Sequence, residues 1–571
     1  MKNIGKTVLF IVVILLLAGS GYEAQNLALA GWNSVTEYSS PYLFSLPATA
    51  STAPLTDRVV LVVVDGLRLD ASQKMPELNE LRQQGADLVL RVGQPSLSYP
   101  SWTVIVSGVW QEVSGVTTNW YEGTVMVDNI FQRAREAGKP AVVAGSPGWR
   151  KLFGPYLTAA MTVKEPEEET APPEAWAKMD EETFRLALDA LDRYDTGLVV
   201  IHFGGPDALA HNFGGVSTEY LHQAQTVDRY IGRMVGRLDW EKDTLIVTAD
   251  HGHIDAGGHG GWEETVLNVP LVMVGKGIRR GVYTARLQAD IAPTIAALLG
   301  LPYPTHSQGA PLLEMLEASA EVKGAKGLNA ALQLVGFYDA YANTLGIGAF
   351  AGDVLTKYRE NLTRGEEGAM AEFWKELNAS AGRARARRLW RERLYRLPVA
   401  LAVALIPLSY LLIYRRRWRC LLLPASFALL YFLLYNILFF GRGYEWSLSL
   451  FGSEGQIEAF FKARMVDAAL SVAASGLLLA IISWKKSPLE TAERVVTFSF
   501  IVWYLLLLQV DFFYWLYNVE FGWTLPDLKL GFKYYMDLLQ MISTGPLAVI
   551  LTPLALFIGW GIRKLRSRAA M

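Results

Sequence analysis

The residues of this 571-residue chain that could do metal chemistry are three aspartates and three histidines at four separated places. They are Asp65, Asp207, His211, Asp250, His251 and His259. Asp207 and His211 are four residues apart, so one helical turn can direct both side chains to the same point. Carboxylate and imidazole are zinc ligands, and the only cysteine, Cys420, excludes a cysteine-rich zinc site. We therefore expect two divalent metal ions, most simply zinc, about 3.5–4 Å apart.

The histidines of the chain are strongly clustered. All seven lie between His202 and His306, and neither the first third of the sequence nor its long apolar end contains one. A metal site would produce such clustering, because neutral imidazole is a common metal ligand. We interpret His202, on an apolar strand, as a core histidine, and His253 as a neighbour of the ligands or a solvated side chain.

A hydroxyl nucleophile is expected in the segment Pro95–Thr103, ahead of a short predicted helix over Val104–Gly108. The N-terminus of a helix presents backbone donors and the positive end of the helix dipole, which suits anion binding. A metal ion nearby can also deprotonate a hydroxyl and make it a nucleophile. We assign this role to Ser98, with Ser96 and Ser101 as the competing candidates.

The elements that must position these residues form a predicted α/β domain from Arg58 to about Gly300. Val59–Val64, Leu198–Phe203 and Thr244–Thr248 are continuous apolar runs, as in parallel strands buried on both faces. Helical stretches between them would cover the sheet. Because ligand groups collect at the carboxyl ends of strands in open α/β sheets, the predicted ligands should meet at one edge.

The first and last parts of the chain predict membrane insertion. Lys2 and Lys6 precede an apolar run from Val8 to Ala18, which is typical of a signal peptide or an N-terminal anchor within residues 1–30. Five apolar segments of nearly membrane-spanning length follow in the last third. They are approximately Leu397–Tyr414, Cys420–Phe440, Val466–Trp484, Val495–Leu516 and Leu547–Ile562.

Charge predicts the orientation of these segments. The connectors Arg415–Arg419 and Lys485–Lys486 are basic and would be cytoplasmic, whereas the longer loops 441–464 and 518–543 are rich in aromatic residues and would lie outside. With the N-terminal lysines inside, we expect a multi-pass protein of the cell membrane whose α/β domain is extracytoplasmic. Asp511 lies within an apolar segment and has no assigned role.

Composition agrees with this division of the chain. Hydrophobic residues make up 51% of the sequence and charged residues 19%, which excludes global disorder. The net charge of −2 shows no basic excess, so nucleic-acid binding is not expected. We predict an α/β domain at 58–313, a helical connector at 314–396 and a membrane domain with about five transmembrane helices at 397–571.

The α/β part of the sequence resembles the alkaline phosphatase superfamily, in particular its type I phosphodiesterase/nucleotide pyrophosphatase-like branch. The resemblance covers about Arg58 to Leu313 and rests on six short segments. They are Val64-Asp65-Gly66-Leu67-Arg68, Ser98-Tyr99-Pro100, Asp207 with His211, Asp250-His251-Gly252, Gly258-His259-Gly260 and Asp290-Ile291-Ala292-Pro293-Thr294. The segment 65–68 and the glycine-rich loop around His259 are also similar to GPI ethanolamine phosphate transferases, which join such a domain to several membrane helices.

The resemblance implies a role for each matching residue and an alkaline-phosphatase-like catalytic domain. One zinc ion would be held by Asp207, His211 and His259. The other would be held by Asp65, Asp250, His251 and the hydroxyl of Ser98. Ser98 stands where this branch usually has threonine, and Asn119 resembles the family asparagine that contacts phosphate.

These features predict a membrane-anchored, two-metal phosphohydrolase or phosphotransferase that acts on phosphodiesters or lipid headgroups outside the cytoplasm. Ser98 would attack phosphorus and form a phosphoenzyme, which water or an acceptor alcohol then resolves. A sulfatase-like ester hydrolase is one alternative, although an arginine is expected there where Trp102 stands. A catalytically inactive membrane assembly factor is the other alternative, and the oligomeric state stays open.

Overall fold

The structure is a computed structural model that describes residues 2–168, 170–414, 418–451 and 454–569. Residues 415–417, which belong to the basic connector predicted to be cytoplasmic, lie outside the described residues. The strands are β1 (Arg58–Val64), β2 (Ala86–Arg91), β3 (Ala141–Gly145), β4 (Ala159–Thr162), β5 (Gly197–Phe203), β6 (Asp243–Thr248), β7 (Asn268–Gly275), β8 (Gly281–Val282) and β9 (Arg286–Leu287). They form one sheet in the order β4-β3-β5-β1-β6-β7-β2-β8, and β9 pairs with β2.

The centre of this sheet is parallel and fully buried. Strand β1 pairs in parallel with β5 on one side and with β6 on the other, and every residue of the three strands is buried. Continuous runs of β-branched residues suit strands that are covered on both faces. The carboxyl ends of the three strands therefore lie side by side. The predicted α/β class, with a sheet flanked by helices, is confirmed.

Helices cover the sheet and make up most of the remaining chain. Up to residue 299 they are α1 (Lys2–Thr36), α2 (Leu69–Ser72), α3 (Pro76–Gln84), α4 (Ser98–Ser107), α5 (Gln111–Ser114), α6 (Ile130–Glu136), α7 (Pro147–Phe153), α8 (Pro173–Arg193), α9 (Gly205–Phe213), α10 (Thr218–Val235), α11 (Glu264–Leu267) and α12 (Ile291–Leu299). After residue 299 the helices are α13 (Ala320–Thr344), α14 (Ala351–Thr363), α15 (Ala369–Leu408), α16 (Arg419–Gly441), α17 (Glu454–Ile482), α18 (Pro488–Tyr517) and α19 (Leu528–Ala569).

Six helices of the described chain are long and apolar enough to cross a membrane. Their spans are Phe10–Thr36, Ala369–Leu412, Arg419–Gly441, Gly455–Lys485, Pro488–Tyr517 and Leu528–Gly561. Each of the five apolar segments predicted in the last third overlaps one of the last five spans. The first span belongs to α1, which extends beyond the predicted limit of residue 30.

Helix α1 packs closely on α19. A Cβ atom on Gly21 would lie 2.7 Å from Cδ of Pro546, and one on Gly545 would lie 2.4 Å from the carbonyl oxygen of Leu17. Small residues at such positions let membrane helices approach each other closely. Val13 is buried in the same apolar cluster as residues of α16 to α19. Helix α1 is therefore an integral part of the helical membrane domain.

The predicted connector joins the α/β domain to one end of the membrane helices. The guanidinium of Arg385, on α15, donates to both carboxylate oxygens of Glu112 at 3.0 and 2.7 Å. The same carboxylate accepts the backbone N–H of Leu525, in the loop between α18 and α19, at 3.0 Å. Arg393 donates to the carbonyl of Leu516 at 3.3 Å. These contacts hold the α/β domain and the connector against one end of the membrane helices.

Candidate active site

Asp65, Asp250 and His251 lie together at the carboxyl ends of β1 and β6 and are called here the inner group. Nε2 of His251 is 3.4 Å from Oδ1 of Asp65 and 3.5 Å from Oδ2 of Asp250. It is also 3.4 Å from Oγ of Ser98. All three members are buried, and one ligand atom of each lies within 4.8 Å of the others. The structure thus brings together the predicted ligands beside the predicted nucleophile.

Asp207, His211 and His259 form a second cluster, the outer group. Helix α9 follows β5 directly, and one turn of it brings Nε2 of His211 to 3.5 Å from Oδ1 of Asp207. His259 comes from the glycine-rich loop 257–261, and its Nε2 is 3.6 Å from the same oxygen. Unlike the inner group, Asp207 and His211 keep 20% and 19% of their side chains exposed.

The two groups meet where the rings of His251 and His259 stack, with their centroids 3.6 Å apart. Nδ1 of His259 lies 2.8 Å from the carbonyl oxygen of Ser96, and Nδ1 of His251 lies 3.3 Å from that of Gly252. When Nδ1 donates its proton to a carbonyl, Nε2 carries the lone pair. Both Nε2 atoms then face the carboxylates in the form that binds a metal ion.

The electrostatics of the site fit divalent cations. Oδ1 of Asp65 is buried and accepts no hydrogen bond from the described residues. Burial raises the pKa of Asp65 well above its ordinary value, and the charges of Asp250 and Asp207 raise it further. Burial also lowers the pKa of His251 to about 3, which keeps the imidazole neutral. Cations would offset the cost of several carboxylates packed together in a buried site.

His253 is closer to the site than the sequence suggested. Its Nε2 lies 2.9 Å from Oδ1 of Asp207, and its Nδ1 lies 3.1 Å from the carbonyl oxygen of Gly257. The side chain is buried, so the solvated alternative is wrong. Asp207, His251 and His253 also have ligand atoms within 4.8 Å of one another, which makes His253 a further potential ligand.

The three candidate serines occupy different environments. Helix α4 begins at Ser98, six residues earlier than the predicted start, so Ser98 is its first residue. Oγ of Ser96 instead accepts the N–H of Gly260 and donates to the carbonyl of Gly261, both at 3.2 Å. Oγ of Ser101 is buried and has no hydrogen-bond partner among the described residues. Of the three hydroxyls, that of Ser98 is the one beside the inner group.

A cavity of about 700 Å³ opens in front of Ser98 and the outer group. Its wall on the α/β side includes Ser98, Asn119, Asp207, His211 and His259. Its wall on the membrane side includes Trp32, Val35, Leu448, Phe451 and Leu525. Oδ1 of Asn119 accepts the N–H of Tyr99 at 2.9 Å, next to the predicted nucleophile Ser98. The cavity can therefore receive a molecule with a polar end and an apolar end.

Comparison with family models matches residues 59–268 to the type I phosphodiesterase/nucleotide pyrophosphatase family. These residues match the model of that family and are called here the phosphodiesterase domain. The resemblance predicted from the motifs is confirmed. The matched range includes residues 59–64 of β1, strands β2 to β6, both candidate metal groups and Ser98, so every candidate ligand and the predicted nucleophile lie within it.

Several characterised proteins are similar to parts of the chain. GPI ethanolamine phosphate transferase 1 of Aspergillus fumigatus is 27% identical over 338 residues, which are 48% of this chain and 32% of that protein. The human GPI ethanolamine phosphate transferase 2 catalytic subunit is 26% identical over 293 residues, 47% and 29% of the two chains. The chain thus spans about a third of the length of these relatives. The six apolar helices make it a multi-pass membrane protein.

Solved structures similar to the phosphodiesterase domain include a wild-type alkaline phosphatase and murine ectonucleotide pyrophosphatase/phosphodiesterase 5. The first has 13% sequence identity and a TM-score of 0.39, and covers 47% of this chain and 100% of its own. The second has 16% identity and a TM-score of 0.35, and covers 43% and 95%.

Two buried residues outside the predicted ligand set hold the carboxylates of the inner group. Nε2 of His202 lies 3.0 Å from Oδ2 of Asp65, and Nε1 of Trp102 donates to Oδ2 of Asp250 at 2.9 Å. The ring of Trp102 also stacks on Trp149, with centroids 4.9 Å apart. His202 is in the core as interpreted, but its contact with a candidate ligand was missed. For Trp102, the sequence did contain a signal. Ser98 and Trp102 are four residues apart, one turn of α4, so both side chains lie on the helix face directed at the site.

Proposed function

We propose that this protein is a membrane-bound phosphotransferase or phosphohydrolase that acts on phosphodiesters outside the cytoplasm with two divalent metal ions, most simply zinc. The observation that carries this proposal is the position of Ser98. Its hydroxyl is at the start of α4, beside the inner group, and faces the cavity that the outer group also lines. That arrangement supplies a nucleophile, a site for anionic oxygens and space for a substrate.

In this mechanism Ser98 is the nucleophile. Ions held by the inner group with Ser98 and by the outer group would lower the pKa of the hydroxyl and offset the charge on phosphate. The Ser98 oxygen gives up its proton to solvent and bonds to phosphorus as the bond to the leaving group breaks, and the departing alkoxide takes up a proton from solvent to leave as an alcohol. An acceptor alcohol or water then attacks phosphorus, and the serine regains its proton. Asn119, oriented by Tyr99, presents its NH₂ group to the phosphate oxygens.

The cavity supports a lipid as the substrate. Its polar wall contains the nucleophile, whereas residues such as Trp32, Leu448 and Phe451 form an apolar wall next to the membrane helices. The relatives are named for transfer of ethanolamine phosphate. A phospholipid that carries ethanolamine phosphate is therefore the first substrate to test, and membrane lipid is the expected partner.

The packing of α1 supports an uncleaved N-terminal anchor and an outward phosphodiesterase domain. Helix α1 contributes Trp32 and Val35 to the cavity, so removal of the first 30 residues would detach this wall from the membrane. Reporter fusions after Gly300 and after Arg419 should lie on opposite sides of the membrane. Reporters on the same side would contradict the topology.

The activity test uses the full-length protein in lipid nanodiscs with ethanolamine phospholipid, other phosphodiesters and an aryl sulfate. We expect release of the alcohol from a phosphodiester, loss of this activity with a chelator and recovery with zinc. Mass spectrometry should find the transferred phosphoryl group on Ser98. Turnover of the sulfate ester alone would favour the sulfatase alternative, and no turnover with two bound metals would favour an inactive assembly factor.

A further inference from the structure

A loop of the membrane domain packs directly on the metal-site loop of the phosphodiesterase domain. Residues Leu448–Leu450 form a 3₁₀ turn between α16 and α17. A Cβ atom on Gly258 would lie only 1.7 Å from the carbonyl oxygen of Ser449. Glycine is thus required at this position for the two loops to meet. The contact is next to His259, a member of the outer group.

Ser449 is the centre of this contact. Its side chain is fully buried, and its Oγ accepts the N–H of Gly261 at 2.9 Å and donates to Oε2 of Glu263 at 2.6 Å. Oγ of Ser447 accepts the N–H of Ser449 at 2.8 Å and shapes the turn. The hydroxyl of Ser449 therefore satisfies a buried backbone N–H and a partly buried carboxylate at once.

The opposite side of the same loop is held by Ser96. Its Oγ bonds to Gly260 and Gly261, and its carbonyl oxygen lies 2.8 Å from Nδ1 of His259. The metal-site loop is thus held between one serine of the phosphodiesterase domain and one serine of the membrane domain. Loss of either contact would let His259 move relative to Asp207.

We propose that Ser449 is a positioning residue for His259, so that the membrane domain completes the outer metal group. The inference rests on the proposed two-metal function. Ser449 is neither among the residues that line the cavity nor among the candidate ligands, so it would act through the loop 257–261. Residues that orient metal ligands typically change metal affinity about 10–100-fold when they are replaced. The hydrogen bonds of the Ser449 hydroxyl are to Gly261 and Glu263, not to the inner group. The affinity for the ion of the inner group therefore serves as the reference for the other ion.

The test is metal titration of the full-length Ser449→Ala protein in nanodiscs. Cobalt replaces zinc as a spectroscopic probe, and visible absorption and metal content report each binding step. Ser471→Ala is the matched control, because the Ser471 hydroxyl is also buried in the membrane domain but has no hydrogen-bond partner among the described residues. Gly258→Ala is a second variant, which changes the loop of the phosphodiesterase domain instead. Its added Cβ would push that loop away from the carbonyl oxygen of Ser449.

We expect Ser449→Ala and Gly258→Ala to bind one of two cobalt ions about 10–100-fold more weakly, with the other ion bound nearly as in the unmodified protein. Ser471→Ala should bind both ions like the unmodified protein. Equal weakening of both ions, or no weakening in Ser449→Ala, would overturn the inference. Fewer than two ions on the unmodified protein would instead contradict the proposed function, and this inference with it.

Discussion

The inner and outer groups have similar ligand types but are built from different parts of the molecule. The inner group lies at the ends of two adjacent buried strands, and its carboxylates contact His202 and Trp102. The outer group lies on α9 and a glycine-rich loop, is partly exposed, and contacts the membrane domain through Ser449. The inner group is therefore the more buried cluster, beside Ser98, and the outer group is the more exposed cluster, which lines the cavity.

The largest effect should follow loss of the nucleophile beside the inner group. Ser98→Ala should lower turnover by at least about a thousandfold, because no other group can form the covalent intermediate. Metal content and Tm should stay close to those of the unmodified protein. Ser101→Ala is the matched control and should retain activity, since Ser101 faces no substrate. Activity in Ser98→Ala together with its loss in Ser101→Ala would reverse the assignment.

The next largest effects test whether the inner and outer groups hold separate metal ions. Asp250→Ala should lose the ion beside Ser98 and recover little activity with added zinc, because the serine returns to a weakly nucleophilic alcohol. His211→Ala should weaken the other ion, and excess zinc should partly restore activity through the two remaining ligands. Metal content and turnover across a zinc series measure both responses. Two tightly bound ions in both variants would show that neither residue is a ligand.

Sequence could predict which candidate ligands come together but not the residues that contact them. Asp65 and Asp250 follow apolar strands, and Asp207 and His211 share a helical turn, so local patterns were sufficient to predict the two clusters. The role of Ser449 depends on a contact with Gly261, 188 residues away, which periodicity does not encode. The sheet and the apolar helices were predictable for the same reason, because continuous hydrophobic runs define them.

A smaller effect concerns the support of the inner group. Trp102→Phe keeps most of the stacked ring but removes the N–H that donates to Asp250. We expect about 10-fold weaker binding of one ion, at the low end of the range for residues that orient ligands. Trp149→Phe is the control, since the Trp149 N–H has no hydrogen-bond partner among the described residues. Equal metal affinities in the two variants would show that the hydrogen bond from Trp102 to Asp250 does not support metal binding.

The smallest effect concerns Asp180, which supports the helix of the outer group. Its carboxylate accepts the N–H of Gly205, at the start of α9, at 3.1 Å, and the side-chain amide of Gln223 at 2.6 Å. Burial raises the pKa of Asp180 from 3.8 to about 7, although both hydrogen bonds oppose the shift. The folded protein therefore binds this proton more tightly than the unfolded chain does.

As the pH rises from 3.8 to about 7, the proton is lost and the free energy of unfolding falls; above about 7 this contribution is gone. Asp180→Asn keeps an acceptor for Gly205 but cannot titrate. Between about pH 5 and pH 8, the Tm of the chelated unmodified protein should therefore fall by about 2 °C more than that of Asp180→Asn, as expected for a difference of roughly 2–3 kcal/mol in a chain of 571 residues. Glu181→Gln, which alters the adjacent exposed carboxylate, should titrate like the unmodified protein. Parallel pH profiles for all three proteins would show that Asp180 does not titrate in this range and that its protonation does not stabilise the folded protein.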